Sequence, residues 1–243
     1  MWCKEMLSVT VLFFAVFLQP CESTQNNMNY RAGNLRLMSD LLRDYNPDVI
    51  PIPSSGAPVN LTLTLLLIDI LEVDIDKNQV EMLFYLYKEY KDEGLMWNPD
   101  DYGIDSLRVN RLKIWQPDVV FESDIGSVSH QPEGSNLALV KSDGTVSVFD
   151  KRRVRTLCQV YALSDRHAAE CPIKVASAMY DRDLLWLNAP TSNSYSGLLF
   201  SNSSKYILIS ISSRKDTLRY ATASYEEMVF TSTFGRITPP NDK

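Results

Sequence analysis

Apolar and polar residues alternate along much of this chain with a period of two, which is typical of strands that bury one face. In the clearest run, Leu61, Leu63 and Leu65 alternate with Thr62 and Thr64. Strand-length runs separated by turn clusters occupy residues 61–75, 80–90, 136–149, 172–178, 205–212 and 226–234. Runs about ten residues apart, with no helical pattern between them, predict an all-β protein: an immunoglobulin-like β-sandwich of about ten strands.

A helical pattern precedes the first strand. The apolar residues that recur there at the spacing of one helix face are Leu37, Met38, Leu41, Leu42 and Tyr45. The Asn46-Pro47 pair ends the pattern, because proline cannot continue a helix. We therefore expect one short amphipathic α-helix at the N-terminal end of the sandwich.

Residues 1–23 have the order of a secretory signal peptide. Lys4 precedes an apolar run from Leu7 to Leu18, and small residues lead up to a cleavage point after Ser23. The alternative is a membrane anchor, but the run has about 12 residues and a spanning helix needs roughly 20. No later stretch is apolar for long enough to span. The expected mature chain, 24–243, is therefore one secreted, extracellular domain with no transmembrane segment and no membrane insertion.

Charge and cysteine content narrow the class further. Of 243 residues, 30 are acidic and 24 are Lys or Arg, so the net charge of -6 leaves no basic stripe for a nucleic-acid partner. Two of the four cysteines leave with the predicted signal peptide, and Cys158 and Cys171 remain in an oxidising compartment. We expect these two to form one disulfide. Asn60 and Asn202 begin N-glycosylation sequons, which fit an exported protein.

Motifs for catalysis are absent from the sequence. The two histidines are His130 and His167. His167 and Cys171 have a spacing compatible with a metal pair, but no second pair accompanies them, so we expect no zinc. Nucleophile-elbow, phosphate-loop and zinc-protease motifs are missing. The neighbouring carboxylates Glu226 and Glu227 are expected to be solvated charges on opposite faces of a strand. We predict a non-enzymatic protein without metal or cofactor.

Four local sequences, taken in order, resemble one family. They are YKDEGLMWNPDDYGI (90–104), IWQPDVVFES (114–123), SDGTV (142–146) and CQVYALSDRHAAEC with the PIKVAS that follows it. The segment LLRDYNPDV also fits, and the similarity runs from about residue 30 to 236. The chain resembles the extracellular ligand-binding domain of Cys-loop (pentameric) receptors and, within that family, the secreted acetylcholine-binding proteins. The residues of these sequences expected to pack and turn rather than to bind are Trp97, Trp115, Pro117 and Asp118.

The resemblance implies a ring-shaped homopentamer with a small-molecule pocket at each subunit boundary. Aromatic rings line such pockets because a cationic amine is attracted to their quadrupoles. In channels of the family the loop between the two cysteines has an apolar, proline-bearing tip that meets the membrane domain. Here that loop carries the polar residues Ser164, Asp165, Arg166, His167 and Glu170. Together with the chain's end at Lys243, where a channel would begin a membrane helix, this favours a naturally soluble binder over a shortened channel subunit.

The family's pocket residues, carried over position by position, give an atypical site. The candidate ligand-binding residues are Tyr90, Glu122, Phe149, Met179, Tyr180, Tyr220 and Tyr225. The tryptophan that usually supplies the main cation-binding face falls at Ala178, and the vicinal cysteine pair between the last two tyrosines is missing. Glu122 stands where the family has a tyrosine and offers a full negative charge to an amine. We therefore expect an amine or amphiphilic ligand that differs from a typical nicotinic one.

Three alternatives remain open. Glu122 is either a partner for a cationic ligand or a solvated charge at an orphan pocket. The ring is either a ligand-binding protein or a scaffold that lost its boundary site and holds a bulky ligand in its central vestibule. Finally, unpaired Cys158 and Cys171 would favour an unrelated secreted sandwich, such as a carbohydrate-binding jelly roll.

Overall fold

The structure is a computed structural model that describes residues 22–126, 136–163, 166–190 and 206–236. Within these residues, eleven strands form two sheets after an N-terminal helix, α1 (Glu22–Leu42). This confirms the predicted all-β sandwich with a helix at its start. The signal peptide predicted for residues 1–23 lies outside the described residues apart from its last two, which begin α1, and it stays a prediction.

The first sheet has six strands. In spatial order they are β3 (Ser106–Asn110), β5 (Leu137–Lys141), β6 (Asp143–Leu157), β2 (Gln79–Met96), β1 (Val59–Asp74) and β9 (Leu185–Asn188). The pairing of β1 with β9 is parallel, and the other pairings of this sheet are antiparallel. The short strand β9 therefore forms one edge of the sheet.

The second sheet has an ordered path of four strands and one strand beside it. The path is β10 (Tyr206–Arg219), β11 (Ser224–Arg236), β8 (Arg166–Ser177) and β4 (Val119–Phe121), and the additional strand that pairs with β8 is β7 (Gln159–Leu163). Two short helical segments complete the described elements: α2 (Pro99–Tyr102) and a 3₁₀ helix (Arg111–Lys113).

The core lies between the two sheets. It is formed by the apolar side chains that occupy every second position along the strands. On β2, every second residue from Val80 to Leu86 is buried, while the residues between them face outward. The predicted turn at Ser142-Asp-Gly joins β5 to β6. Gly144 is needed there, because its φ is +82° and an added Cβ would lie too close to the carbonyl oxygen of Asp92.

The helix differs from its prediction at its end. Leu37 is buried and Met38 packs against the core, as the helical spacing predicts, but α1 ends at Leu42. Tyr45 therefore lies beyond the helix. Its hydroxyl donates to Asp92 Oδ2 at 2.6 Å and accepts from the backbone nitrogen of Trp115 at 3.0 Å, which ties the segment after α1 to the core.

The prediction that Glu226 and Glu227 are solvated is wrong. Their exposed fractions are 5% and 2%. Glu226 Oε2 accepts from the backbone nitrogen of Leu187 on β9 at 2.6 Å and from Lys215 Nζ at 3.0 Å. The carboxylate of Glu226 thus supplies an acceptor for a backbone donor on the edge strand β9, which a sequence pattern alone does not reveal.

Cys158 and Cys171 form the predicted disulfide, with an S–S distance of 2.02 Å. We expect the Cys158→Ala, Cys171→Ala double variant to lose about 3 kcal/mol of unfolding free energy, because the bridge limits the unfolded chain. Urea unfolding followed by circular dichroism measures this loss. The same loss should appear when the wild-type protein is reduced, and equal stability of the oxidised and reduced forms would contradict the prediction.

Within the described residues, no helix combines the length and the apolar character that crossing a lipid bilayer requires.

Candidate functional site

A charged surface lies on the outer face of the second sheet, where β4, β8 and β11 run side by side. Val120 pairs with Ala176, and Ala176 pairs with Glu227, so these three side chains share one face. Glu122 follows Val120 by two residues, and its backbone nitrogen donates to the carbonyl oxygen of Lys174 at 3.0 Å. We call Glu122, Lys174 and Glu227 the carboxylate cluster.

Glu227 is the most deeply buried member of this cluster. Its side chain is 2% exposed, and Lys174 Nζ lies 3.7 Å from its Oε2. Its Oε1 has no hydrogen-bond partner among the described residues. Burial raises the pKa of Glu227, and the nearby charges of Glu122 and Asp216 raise it further, against the effect of Lys174. An unpaired buried carboxylate oxygen costs free energy, so a donor that reaches this oxygen is favoured.

Two tyrosines stand at the hairpin between β10 and β11. Tyr220 is 61% exposed, and its backbone nitrogen donates to the carbonyl oxygen of Ala223 at 2.9 Å. The rings of Tyr220 and Tyr225 lie 5.8 Å apart, nearly edge to face. Tyr225 precedes Glu227 by two residues on β11 and shares its face. By strand alternation Tyr225 therefore lies on the same face of the second sheet as Glu227 and Glu122, and its ring contacts that of Tyr220.

The segment after β8 presents Met179 and turns Tyr180 inward. Met179 is 77% exposed, and its backbone nitrogen donates to Asp118 Oδ2 at 2.7 Å. Asp118 Oδ1 accepts from the hydroxyl of Ser177 at 2.6 Å. The hydroxyl of Tyr180 accepts from Trp115 Nε1 at 3.2 Å, and the two rings pack 5.8 Å apart. Trp115 and Asp118 have the structural roles predicted for them, and Tyr180 supports the segment from the core side.

Tyr90 lies in the core and does not join the other candidates. It is 2% exposed, its hydroxyl donates to the carbonyl oxygen of Trp115, and the two rings pack edge to face at 5.1 Å. Tyr90 continues the buried alternation that begins at Val80 on β2. The motif spacing placed Tyr90 in the site, whereas the period of two along the same strand indicates that it faces inward.

The outer face of β2 instead presents a set of residues that motif spacing missed. The ring of Tyr87 lies 4.6 Å from that of Phe149, which is 51% exposed on the neighbouring strand β6. The Tyr87 hydroxyl donates to Glu89 Oε2 at 2.5 Å, and partial burial together with Glu89 raises the pKa of Tyr87. We call Tyr87, Glu89 and Phe149 the aromatic patch. Of these three residues, Phe149 is one that the resemblance predicts for the pocket.

A cavity of about 790 Å³ lies beside the β10–β11 hairpin. It is lined by Pro58, residues 181–183, Trp186 and residues 220–224. Tyr220 is the candidate residue that contributes to it, and neither Glu122 nor Glu227 does. Trp186 was missed in the sequence, because β9 has four residues and too few alternating positions to be recognised.

The remaining predicted sites are placed as follows. Asn60 is exposed on β1. Asn202 and His130 lie outside the described residues, as does the side chain of His167. Within the part of the chain that the structure describes, no three metal-ligating side chains are grouped to hold an ion.

Comparison with known proteins identifies the family. The family model described as the neurotransmitter-gated ion-channel ligand binding domain matches residues 34–238. This match covers most of the chain, and the chain therefore belongs to that family, as the resemblance in its sequence predicted.

Three of the similar curated proteins are acetylcholine receptor subunits. The acetylcholine receptor subunit alpha of Danio rerio is 27% identical over 191 residues, which is 76% of this chain and 41% of that protein. The neuronal subunit alpha-6 of Rattus norvegicus is 27% identical over 191 residues, covering 76% of this chain and 38% of the relative. The human neuronal subunit alpha-10 is 30% identical over 130 residues, covering 52% and 28%. The chain thus spans about two fifths or less of the length of these relatives.

Proposed function

We propose that this chain is one subunit of a secreted, soluble, non-enzymatic homopentamer that binds a small cationic amine at its subunit boundaries. Membership of a ligand-binding-domain family supports the binding role. The similar proteins are named acetylcholine receptor subunits, and acetylcholine is a quaternary amine. The class of ligand proposed for this chain follows from the chemistry of its own surface.

The observation that carries the proposal is the buried carboxylate of Glu227, one oxygen of which has no hydrogen-bond partner among the residues that the structure describes. The carboxylate cluster holds two carboxylates and one ammonium group, so its net charge suits a cation. A protonated amine bound at the exposed Glu122 is attracted by that carboxylate and by Glu227 beneath it, whose charge is weakly screened because it is buried. Tyr225 and Tyr220 border this position and offer ring faces to the apolar part of the same ligand. Ala178 leaves space where the family has a tryptophan.

The aromatic patch is proposed as the second wall, supplied by a neighbouring copy. The carboxylate cluster is on the outer face of the second sheet, and the aromatic patch is on the outer face of the first. The outer faces of a sandwich point in opposite directions, about one 10 Å core thickness apart or more, so one copy cannot close both around one ligand. A ring in which each copy presents one face to the next brings the two surfaces together at every boundary.

The amine site is tested with Glu122→Gln. We expect this change to weaken binding of a quaternary or protonated amine about tenfold, the effect of losing roughly 1.4 kcal/mol of charge-assisted attraction. Phe149→Ala should weaken it as well, because the second wall loses a ring. Isothermal titration calorimetry with a panel of amines, including acetylcholine and choline, measures both effects, and native mass spectrometry measures the number of subunits.

The matched control is Glu170→Gln, which changes an exposed carboxylate on β8 outside the cluster and should leave affinity unchanged.

Affinity should fall as the pH is lowered through the raised pKa of Glu227, since a protonated Glu227 no longer attracts a cation. A monomer in native mass spectra contradicts the ring. An amphiphile that binds with the same affinity to wild type, Glu122→Gln and Phe149→Ala contradicts the boundary site and favours the central vestibule.

A further inference from the structure

The candidate glycosylation site Asn60 and the missed aromatic residue Trp186 are direct neighbours. Strands β1 and β9 are parallel, with Val59 opposite Leu185 and Asn60 opposite Trp186. Val59 and Leu185 are each 1% exposed. Since side chains alternate between the two faces of a strand, Asn60 and Trp186 point to the same outer face of the sheet, side by side.

The indole of Trp186 is held in place with its apolar face open. Its Nε1 donates to the carbonyl oxygen of Arg182 at 3.0 Å, and the residue remains 41% exposed. The one polar atom of the indole therefore already has a hydrogen-bond partner within the chain. The rest of the ring is apolar, and its exposed part can be covered by an apolar surface. Trp186 lies on β9, the edge strand of the sheet. An edge strand with an exposed aromatic residue can associate with another chain unless it is covered.

The amide of Asn60 is oriented by the same strand. Its Oδ1 accepts a hydrogen bond from Nδ2 of Asn188, two residues beyond Trp186 on β9. This bond uses the amide oxygen of Asn60. The amide nitrogen, which is the atom that carries an N-linked sugar, is not used in it.

We propose that Trp186 is a packing platform for a glycan on Asn60, and that the first sugar residue covers the open face of the indole. The inference rests on the secreted state in the proposed function, because N-glycans are added in the secretory pathway. One face of a sugar ring consists of C–H groups, so it removes aromatic surface from water while its hydroxyl groups stay solvated. The glycan thereby stabilises the β1–β9 edge and shields it.

The test compares three glycoforms of the full chain, which is expressed with residues 1–23, the predicted signal peptide, in cells that make high-mannose glycans. All proteins carry Asn202→Gln, so that Asn60 has the remaining sequon, and mass spectrometry measures its occupancy. Endoglycosidase H leaves one sugar on Asn60, and peptide N-glycosidase F removes the whole glycan. We expect the intact and one-sugar forms to melt together and the stripped form to melt about 2–4 °C lower.

The decisive variant is Trp186→Thr, for which the three glycoforms should melt together. Tyr220→Thr is its matched control, and it should keep the difference. Tyr220 is an exposed aromatic residue that lines the same cavity, but it lies at the β10–β11 hairpin and is not the strand partner of Asn60. Asn60→Asp in unglycosylated protein controls for the aspartate that enzymatic removal leaves.

An undiminished difference in Trp186→Thr overturns the inference, as does an unoccupied Asn60 in secreted protein. Retention of the chain inside the cells contradicts the proposed secreted state instead, and the glycoforms can still be compared on protein purified from those cells.

Discussion

Replacing Asp150 by alanine is expected to lower the free energy of unfolding by about 3–5 kcal/mol. Asp150 is 2% exposed in the interior of the sandwich. Its Oδ2 lies 2.8 Å from Lys88 Nζ and its Oδ1 lies 2.5 Å from a terminal nitrogen of Arg111. A terminal nitrogen of Arg152 lies 3.8 Å from Oδ2. Removing the carboxylate therefore takes a shared partner from three cations, of which Lys88 is almost fully buried. Urea unfolding followed by circular dichroism measures the loss.

Two further variants separate this explanation from a simple packing defect. Asp150→Asn keeps the size of the side chain and should cost nearly as much as alanine. Combining Asp150→Leu with Lys88→Met should recover part of the loss, because apolar residues can replace a buried ion pair. The exposed pair of Asp74 and Lys77, 2.9 Å apart, provides the control, and Asp74→Ala should stay close to wild type. A wild-type-like Asp150→Ala would contradict the prediction.

The charges around Asp150 also set the sign of a pH effect. Burial opposes its ionisation, but the attraction of Lys88 and Arg111 outweighs burial and lowers the pKa of Asp150. A carboxyl whose pKa is lowered by folding stabilises the protein above its unfolded pKa and loses that contribution as the pH falls. The pKa of Glu227 is raised instead, so this carboxyl favours the folded state at low pH and opposes it as the pH rises.

The long strands could be predicted from the sequence, and the short ones could not. β1 and β2 have 16 and 18 residues, which gives a period of two many chances to appear. β4 has three residues, none of them fully buried, and β9 has four, of which two are buried, so neither shows a recognisable alternation. These two short strands matter for function, since β4 leads into Glu122 of the carboxylate cluster and β9 carries Trp186, which lines the cavity.

The positions of the candidate site residues could be predicted only in part from the sequence, and the differences from the structure have physical causes. The resemblance predicts Glu122, Tyr220 and Tyr225 as pocket residues. The structure places Glu122 and Tyr225 on one face of the second sheet, with Tyr220 at the adjoining hairpin, and their role in binding stays a prediction. Motif spacing alone cannot tell which face of a strand a residue occupies, so it selected Tyr90, which is buried, and missed Tyr87, which is not. The burial of Glu227 follows from the pairing of β11 with a strand far away in sequence, which no local pattern records.

Trp115 connects three segments that are distant in sequence. Its backbone nitrogen donates to the hydroxyl of Tyr45 at 3.0 Å, and its carbonyl oxygen accepts from Tyr90. Its Nε1 donates to the hydroxyl of Tyr180 at 3.2 Å. The segment after α1, strand β2 and the segment that presents Met179 therefore meet at one side chain that is 2% exposed.

We expect Trp115→Ala to lower the free energy of unfolding by about 3–5 kcal/mol, because it opens a large cavity in the core. Trp115→Phe keeps most of the volume and loses the bond to Tyr180, so its cost should be about 1 kcal/mol, and it tests the argument even where the alanine variant fails to fold. The matched control is Trp186→Ala in protein without a glycan, which removes an indole from the surface and should cost far less. Urea unfolding of all three variants checks this order. Equal losses for Trp115→Ala and Trp186→Ala would contradict the prediction, because they would mean that the interior contacts of Trp115 stabilise the fold no more than a surface ring does.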